Sequence, residues 1–320
     1  MSYQHLFGPV PSRRLGVSLG VDLVPFKYCS MNCIYCEIGK TTNLTIQRDE
    51  YVSYQEIKEE LEDYLGTHPY LDFITFSGAG EPTLNSRIGD IITFLKKDFP
   101  DYRIALITNS SLLPDPELRK EVSGVDIILP SLDAASQKTF EKINRPADSL
   151  KVKDIIAGLV SFRRESKAEM WLEIFLLPGI NDDEEELKSI RQAVEIIDPH
   201  RVQLNSLDRP GTERWLVKEA DNKLAEIAEF FQPLPVEVIA RQTDKVSFPE
   251  IDGAMEDKLI STIKRRPCTA EDMSRILNLH IHEVTKYLEH LHKQGIIKAQ
   301  ELERGVFYSW NSEAEKDKQK

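Results

Sequence analysis

Three thiols fall within eight residues, Cys29, Cys33 and Cys36 in the stretch YCSMNCIYCEIG, while the fourth cysteine, Cys268, is far along the chain. Thiolates gathered this tightly bind metal or exchange disulfides, and three chemistries compete for them. A structural zinc site closes four ligands around one ion, but only three are clustered here and no histidine lies nearby in sequence. A redox pair would use the C-x-x-C spacing of Cys33 and Cys36 and leave Cys29 without a task. A cluster of four irons held by three thiolates leaves one iron open to a substrate or cosubstrate. On that reading the missing fourth cysteine is the functional feature.

The elements that must position these thiols alternate in type. GVSLGVDLV reads as a strand, and the cysteine loop follows it. DFITFSG, YRIALITN, GVDIILPSLD, MWLEIFLL and RVQLNSL read as further strands, rich in β-branched and aromatic residues. Between them, SYQEIKEELEDYL reads as a helix capped by Ser53. SRIGDIITFLKKDF, DPELRKEV, SQKTFEKIN and LKVKDIIAGLVSFRRE also read as helices. So does DDEEELKSIRQAVEII, whose opening acids suit the positive end of a helix dipole. Such βα alternation predicts a parallel sheet or barrel. Six units are too few to close an eight-stranded barrel, so an open, partial (β/α)6 barrel is expected over residues 1–245.

Residues 246–310 read differently. Helices MEDKLISTIKR, TAEDMSRILN with Thr269 as cap, and HIHEVTKYLEHLHKQG ended by Gly295 precede a hairpin that turns at Arg304-Gly305. That order predicts a winged helix-turn-helix domain. Residues 253–310 hold nine Lys and Arg against eight Asp and Glu, which is not the clustered positive face that phosphate-backbone binding calls for. His280, His282, Lys286, His290, His292 and Lys293 read as an exposed polar face of the third helix. Cys268 reads as a small buried hydrophobe, and the polar end 311–320 as a disordered tail.

Bulk properties narrow the setting. A length of 320 residues suggests about two domains, and 41% hydrophobic with 29% charged residues is ordinary for a soluble globular protein. There is no apolar run long enough to cross a membrane and no secretory leader pattern at MSYQHLFGPVPSRR. With only four cysteines, this predicts a reduced, cytoplasmic setting. A net charge of −12 disfavours broad adhesion to nucleic acid or anionic membrane.

The C-x-x-x-C-x-x-C pattern, with Tyr35 just before the last cysteine and a predicted strand before the loop, resembles the signature of the radical S-adenosylmethionine (SAM) superfamily. The resemblance runs from about Gly8 to Ile239. FGPVPSRRLG followed by CSMNCIYC is similar to the subgroup that includes wyosine-type tRNA-modifying enzymes and iron–sulfur oxidoreductases. It implies a 4Fe-4S cluster on Cys29, Cys33 and Cys36, with S-adenosylmethionine bound to the open iron. Reduction by one electron then breaks the sulfonium, and a 5′-deoxyadenosyl radical takes hydrogen from a substrate in the barrel. The cofactor carries the hard chemistry while the protein orients it and excludes water. A flavodoxin- or ferredoxin-like electron donor is implied, and the substrate class (small molecule, protein or RNA) is left open.

The resemblance extends to the loops after the strands, where barrel active sites gather. FSGAGEPTLN resembles the family's GGE motif, which implies that the backbone at Gly78, Ala79 and Gly80 and the Glu81 carboxylate meet the amino group of methionine. Ala79 stands where glycine is commoner. Thr108 and Asn109 sit where the family often has Thr-Asn-Gly, with Ser110 replacing the glycine. Ser131 and Asp133 resemble ribose-contacting positions, beside a reading as cap and Asx turn for SQKTFEKIN. LLPGIND and QLNSLDRPG resemble the adenine-side loops, with Asn205 the candidate contact. No catalytic acid or base stands out. Glu173 and Arg13-Arg14 are candidates to serve substrate, and strand register decides whether Glu173 faces inward.

Two alternatives remain. One is a tRNA-modifying enzyme related to the wyosine synthases, although residues 1–28 lack the extra cysteines those enzymes carry for an auxiliary cluster. The other is an iron–sulfur redox sensor whose winged helix regulates transcription, for which a GAGEP loop has no use.

Overall fold

The computed structural model describes residues 3–239, 255–277, 279, 281–302 and 304–311. The chain begins with β1 (Leu6–Ser12), β2 (Gly16–Val21) and a short pair, β3 (Tyr28–Cys29) and β4 (Asn43–Leu44), around the cysteine loop. Then come α1 (Tyr54–Leu65), β5 (Phe73–Phe76), α2 (Ile88–Asp98), β6 (Ile104–Thr108), α3 (Pro116–Val122) and β7 (Ile127–Pro130). They are followed by α4 (Gln137–Asn144), α5 (Val152–Glu165), β8 (Glu169–Phe175), α6 (Glu184–Ile197), β9 (Arg201–Asn205), α7 (Asp221–Phe230) and β10 (Val236–Val238).

Eight of these strands form one open sheet in the order β1-β2-β5-β6-β7-β8-β9-β10. Only β1 runs antiparallel to its neighbour; the remaining pairings are parallel. The result is an α/β fold with a mostly parallel sheet, as a partial barrel requires. The six strands expected from sequence are β2 and β5 to β9. β1, α7 and β10 are additions that the sequence reading did not contain.

Strand period then sorts the side chains. Along β5 to β9, even-numbered positions such as Ile74, Phe76, Leu106, Ile128, Leu172 and Leu204 point outward into the main core beneath the helices. Odd-numbered positions of those strands, with Ser18 and Gly20 of β2, face the barrel interior. Its floor is apolar, built from Leu15, Phe73, Ala105, Ile127, Leu129 and Trp171. Above that floor, Thr75, Glu173 and Asn205 line a cavity. The helices dock by their apolar stripes. In α1, capped by the Ser53 side chain on the Gln55 N–H, Ile57, Leu61 and Leu65 are fully buried, each contributing roughly 1.5–3 kcal/mol.

The C-terminal unit holds α8 (Met255–Arg265), β11 (Cys268–Thr269), α9 (Ala270–Leu277), α10 (Ile281–Lys293), β12 (Ile297–Leu302) and β13 (Gly305–Trp310). Three helices thus pack on a three-stranded antiparallel sheet of order β11-β13-β12. The expected hairpin is β12–β13, and β11 adds a third strand through Cys268 and Thr269. Thr269 and Asp272 bond each other's backbone N–H groups at 3.1 Å, a reciprocal cap for α9. Cys268 is fully buried in this unit's own core. The expected domain boundary at 245/246, His280, the side chains of His282, Lys286 and His290, and the tail 312–320 lie outside the described residues. Asn311, assigned to that tail, instead bonds Ile296 and Gly295. No helix among the described residues is long and apolar enough to cross a membrane.

Candidate cluster and cofactor site

The cysteine loop leaves β2 and passes over the C-terminal ends of the parallel strands. Backbone bonds pin it on both sides: Ile34 N–H to Ile143 O at 2.9 Å, and Asn32 N–H to Asn144 O at 2.9 Å. Three nitrogen donors point at the three sulfurs. Lys27 Nζ lies 3.1 Å from Cys36 Sγ, Asn144 Nδ2 lies 3.4 Å from Cys33 Sγ, and Asn109 Nδ2 lies 3.5 Å from Cys29 Sγ. Burial pushes the Cys29 thiol up to about 12, with the Glu81 carboxylate adding to it. Burial raises Cys33 well above the usual thiol range, and the neighbouring Cys29 and Cys36 add to it. The three sulfurs therefore share one field. Thiols that resist ionisation, as Cys29 and Cys33 do, surrender their protons when a cation replaces them.

The donor set fits an iron–sulfur cluster. N–H groups aimed at sulfur are among the features that tune such clusters. In a cubane each thiolate meets a different iron, so the sulfurs stand further apart than around one ion. Among the described residues no three His, Cys, Asp or Glu side chains gather as a single-ion site.

Beside the sulfurs runs the loop Gly78-Ala79-Gly80. Gly78 has φ +118°, and a Cβ there would stand 1.8 Å from Asp22 Oδ1. A Cβ on Gly80 would stand 1.9 Å from the Tyr28 carbonyl oxygen. Glycine at both positions is thus a steric requirement. Ala79 donates its N–H to Asp22 Oδ1 at 2.8 Å and accepts the Lys27 N–H at 2.7 Å. Its methyl group is buried and obstructs neither bond.

Glu81 is 2% exposed and saturated. Its oxygens accept from Thr83 N–H, the Thr83 hydroxyl at 2.6 Å, the Thr108 hydroxyl at 2.7 Å and Asn109 N–H at 2.8 Å. Four donors fill the places a carboxylate offers. Glu81 therefore braces the ends of β5 and β6, and through Asn109 it steadies the donor to Cys29. Ser110 adopts φ +68°, the conformation a glycine would take. Its N–H to Thr108 Oγ1 at 3.1 Å and its hydroxyl to Ser131 O at 3.0 Å hold it there, at a conformational cost of about 1 kcal/mol.

Asp133 is likewise spoken for. It accepts the Tyr35 hydroxyl at 2.6 Å, Asn144 Nδ2 at 2.7 Å and Phe175 N–H at 3.0 Å. Burial pushes its carboxyl up to about 6, against the pull of those donors. Asn144 thus ties Asp133 to Cys33. The cap of α4 is Ser136 rather than Asp133. Tyr35 stacks on Phe175, ring centroids 4.0 Å apart and 8° from parallel.

Ser131 and Asn205 do face the cavity, together with Tyr35, Gly78, Glu173 and Phe175. Asn205 donates to Glu173 Oε1 at 2.7 Å, and Arg14 donates to Glu173 Oε2 at 2.6 Å. Burial raises the Glu173 pKa, but Arg14 and Asn205 outweigh it and hold the carboxyl below its usual value. The register question is thereby answered: Glu173 points inward. The sequence reading missed Lys27, Asp22 and Asn144. A cation two residues before Cys29 was a usable signal for Lys27, whereas Asp22 and Asn144 carried none.

The sequence profile of the Radical SAM superfamily matches residues 23–189. The chain is 33% identical over 298 residues to the UPF0026 protein of Helicobacter pylori strain J99, covering 92% of this chain and 94% of that protein. It is 34% identical over 304 residues to a Brachyspira hyodysenteriae protein named GTPase Obg, covering 95% of this chain but spanning only 44% of that protein's length. Among solved structures, a radical SAM methyltransferase from Sphaerobacter thermophilus superposes with a TM-score of 0.53 at 18% identity, covering 69% of this chain and 65% of that one. That likeness concerns the fold.

Proposed function

Because the chain belongs to the Radical SAM superfamily, we propose that Cys29, Cys33 and Cys36 hold a 4Fe-4S cluster whose open iron binds S-adenosylmethionine for reductive cleavage. The observation that carries this reading is the trio of N–H donors, Lys27, Asn109 and Asn144, each aimed at a different cysteine sulfur. When bound, the cluster supplies one electron to the sulfonium, yielding methionine and a 5′-deoxyadenosyl radical that abstracts hydrogen from substrate.

The protein's own part is positional. Gly78 and Gly80 bring backbone close to the cosubstrate. Glu81 and Asp133 fix the cluster loop from either side. Tyr35 stacked on Phe175, with Ser131 and Asn205, walls the space for the nucleoside. Glu173, held ionised by Arg14, faces substrate. The electron donor in this reading is a flavodoxin- or ferredoxin-like protein. We read the C-terminal unit as a winged-helix-type fold that covers the barrel mouth, since Arg265 and Arg304 reach barrel residues Asp22 and Asp208. A cavity of about 410 Å³ at the cysteine loop favours an enzyme over a redox sensor.

Anaerobic reconstitution followed by S-adenosylmethionine and dithionite tests the reading. The expected product is 5′-deoxyadenosine, seen by liquid chromatography. Its absence from protein carrying a full iron complement would refute the proposal.

A further inference from the structure

The cavity above the apolar floor is crowded with arginine. Arg13 and Arg14 follow β1, Arg209 follows β9, and four more come from the C-terminal unit, making seven in the wall. Five carboxylates stand in or just behind that wall: Glu37, Glu173, Asp272, Asp22 and Asp208. Seven arginines thus stand against five carboxylates, inside a chain whose net charge is −12.

The pairing among six of the arginines is uneven. Arg14 is matched by Glu173 and Arg265 by Asp22, both at 2.6 Å, and Arg304 by Asp208 and Asp272. Arg209 is only 9% exposed. It reaches Glu37 at 3.3 Å through Nη1, while its buried Nε has no hydrogen-bond partner. Arg13 comes no nearer than 3.9 Å to Asp208. Among the described residues, the Arg266 guanidinium makes no ion pair or hydrogen bond. Burial first, and then the charge of Arg209, lowers the pKa of both Arg13 and Arg266. Arg209, its charge favoured by Glu37 and Asp272, therefore repels both Arg13 and Arg266 across a partly dehydrated space, a cost that a bound anion relieves.

We propose that this cavity takes a phosphorylated small molecule, its phosphate seated among Arg13, Arg209 and Arg266. Guanidinium forks match phosphate oxygens in pairs, and a phosphate monoester brings the negative charge that these three side chains face. The carbon skeleton then extends toward Tyr35 and Ser131, where hydrogen abstraction is expected. This deepens the function proposed above and rests on it for the reaction, but not for binding. A small ester fits better than a polymer, because Arg265 and Arg304 fasten the C-terminal unit across the barrel.

Isothermal titration calorimetry on the anaerobically reconstituted holoprotein tests it. The cluster is kept oxidised and S-adenosylmethionine is saturating, so that the open iron is not offered to the probe. Inorganic pyrophosphate is expected to bind saturably, one per chain. Arg266→Gln and Arg13→Gln are each expected to weaken it by about tenfold to a hundredfold. The exposed Arg164→Gln should leave binding unchanged. If one cavity variant fails to fold, the other carries the comparison. The proposal is overturned if pyrophosphate gives no saturable heat, or if both cavity variants bind it like wild type. It is equally overturned if malonate or a short single-stranded RNA binds more tightly. 5′-Deoxyadenosine formation in the same preparation keeps the two readings apart. Cleavage without anion binding sinks this inference alone, and anion binding without cleavage sinks only the earlier one.

Discussion

Asp22 and Arg265 meet at 2.6 Å across the boundary between barrel and C-terminal unit. The other oxygen of Asp22 accepts the Ala79 N–H at 2.8 Å, so one carboxylate fastens both the glycine loop and the end of α8. Burial pushes the Asp22 pKa up, and Arg265 is the chief opposing influence. Removing one member of a buried pair typically costs 3–5 kcal/mol, while replacing both costs far less. Arg265→Met should therefore lose roughly 3 kcal/mol in urea unfolding, and Asp22→Asn combined with Arg265→Met should recover most of it. Additive losses in the double variant would show that the pair is not coupled.

Lys27 Nζ donates to Cys36 Sγ from a side chain that is only 3% exposed. A fixed positive charge beside a cluster sulfur favours the reduced, more negative state. Lys27→Gln is expected to lower the cluster's reduction potential by about 60 to 130 mV, the value of one charge-assisted hydrogen bond for a one-electron couple. Spectroelectrochemical titration reads this directly. An unchanged or higher potential would remove Lys27 from the cluster's surroundings.

The legible part of this chain was whatever repeats locally. Strand alternation, the βα order, the Ser53 cap and the cysteine spacing all follow from neighbours in sequence, and all appear in the structure. β1 did not, because Pro9 and Pro11 interrupt the strand pattern within Leu6–Ser12. Its place at the sheet edge is where missing N–H groups are tolerated. The bonding of Glu81 and Asp133 was also hidden. The family resemblance implied cosubstrate contacts for them, but what saturates them comes in part from Thr108, Asn144 and Phe175 on other elements. Pairings across the barrel leave no trace in spacing.

Asp133 sets a pH dependence whose sign follows from its raised pKa. Folding lifts its carboxyl from the ordinary ~3.9 to about 6, so between those values the folded chain keeps a proton that the unfolded chain has lost. The stability this provides is present at the acid end and is lost as pH rises toward 6, on the order of 3 kcal/mol in all. In cluster-free protein, the stability of wild type minus that of Asp133→Asn should fall between about pH 4 and about pH 6 and level off above. A difference that climbs with pH would contradict the assignment.

The central claim is a cluster with three thiolate ligands and an open iron, and electron paramagnetic resonance of the reduced, anoxically prepared protein tests it most directly. The account predicts a 4Fe-4S signal whose g-values shift when S-adenosylmethionine is added, lost in Cys29→Ala, Cys33→Ala and Cys36→Ala but kept in Cys268→Ala. A signal indifferent to S-adenosylmethionine, or one that survives intact in any of the first three variants, would contradict it.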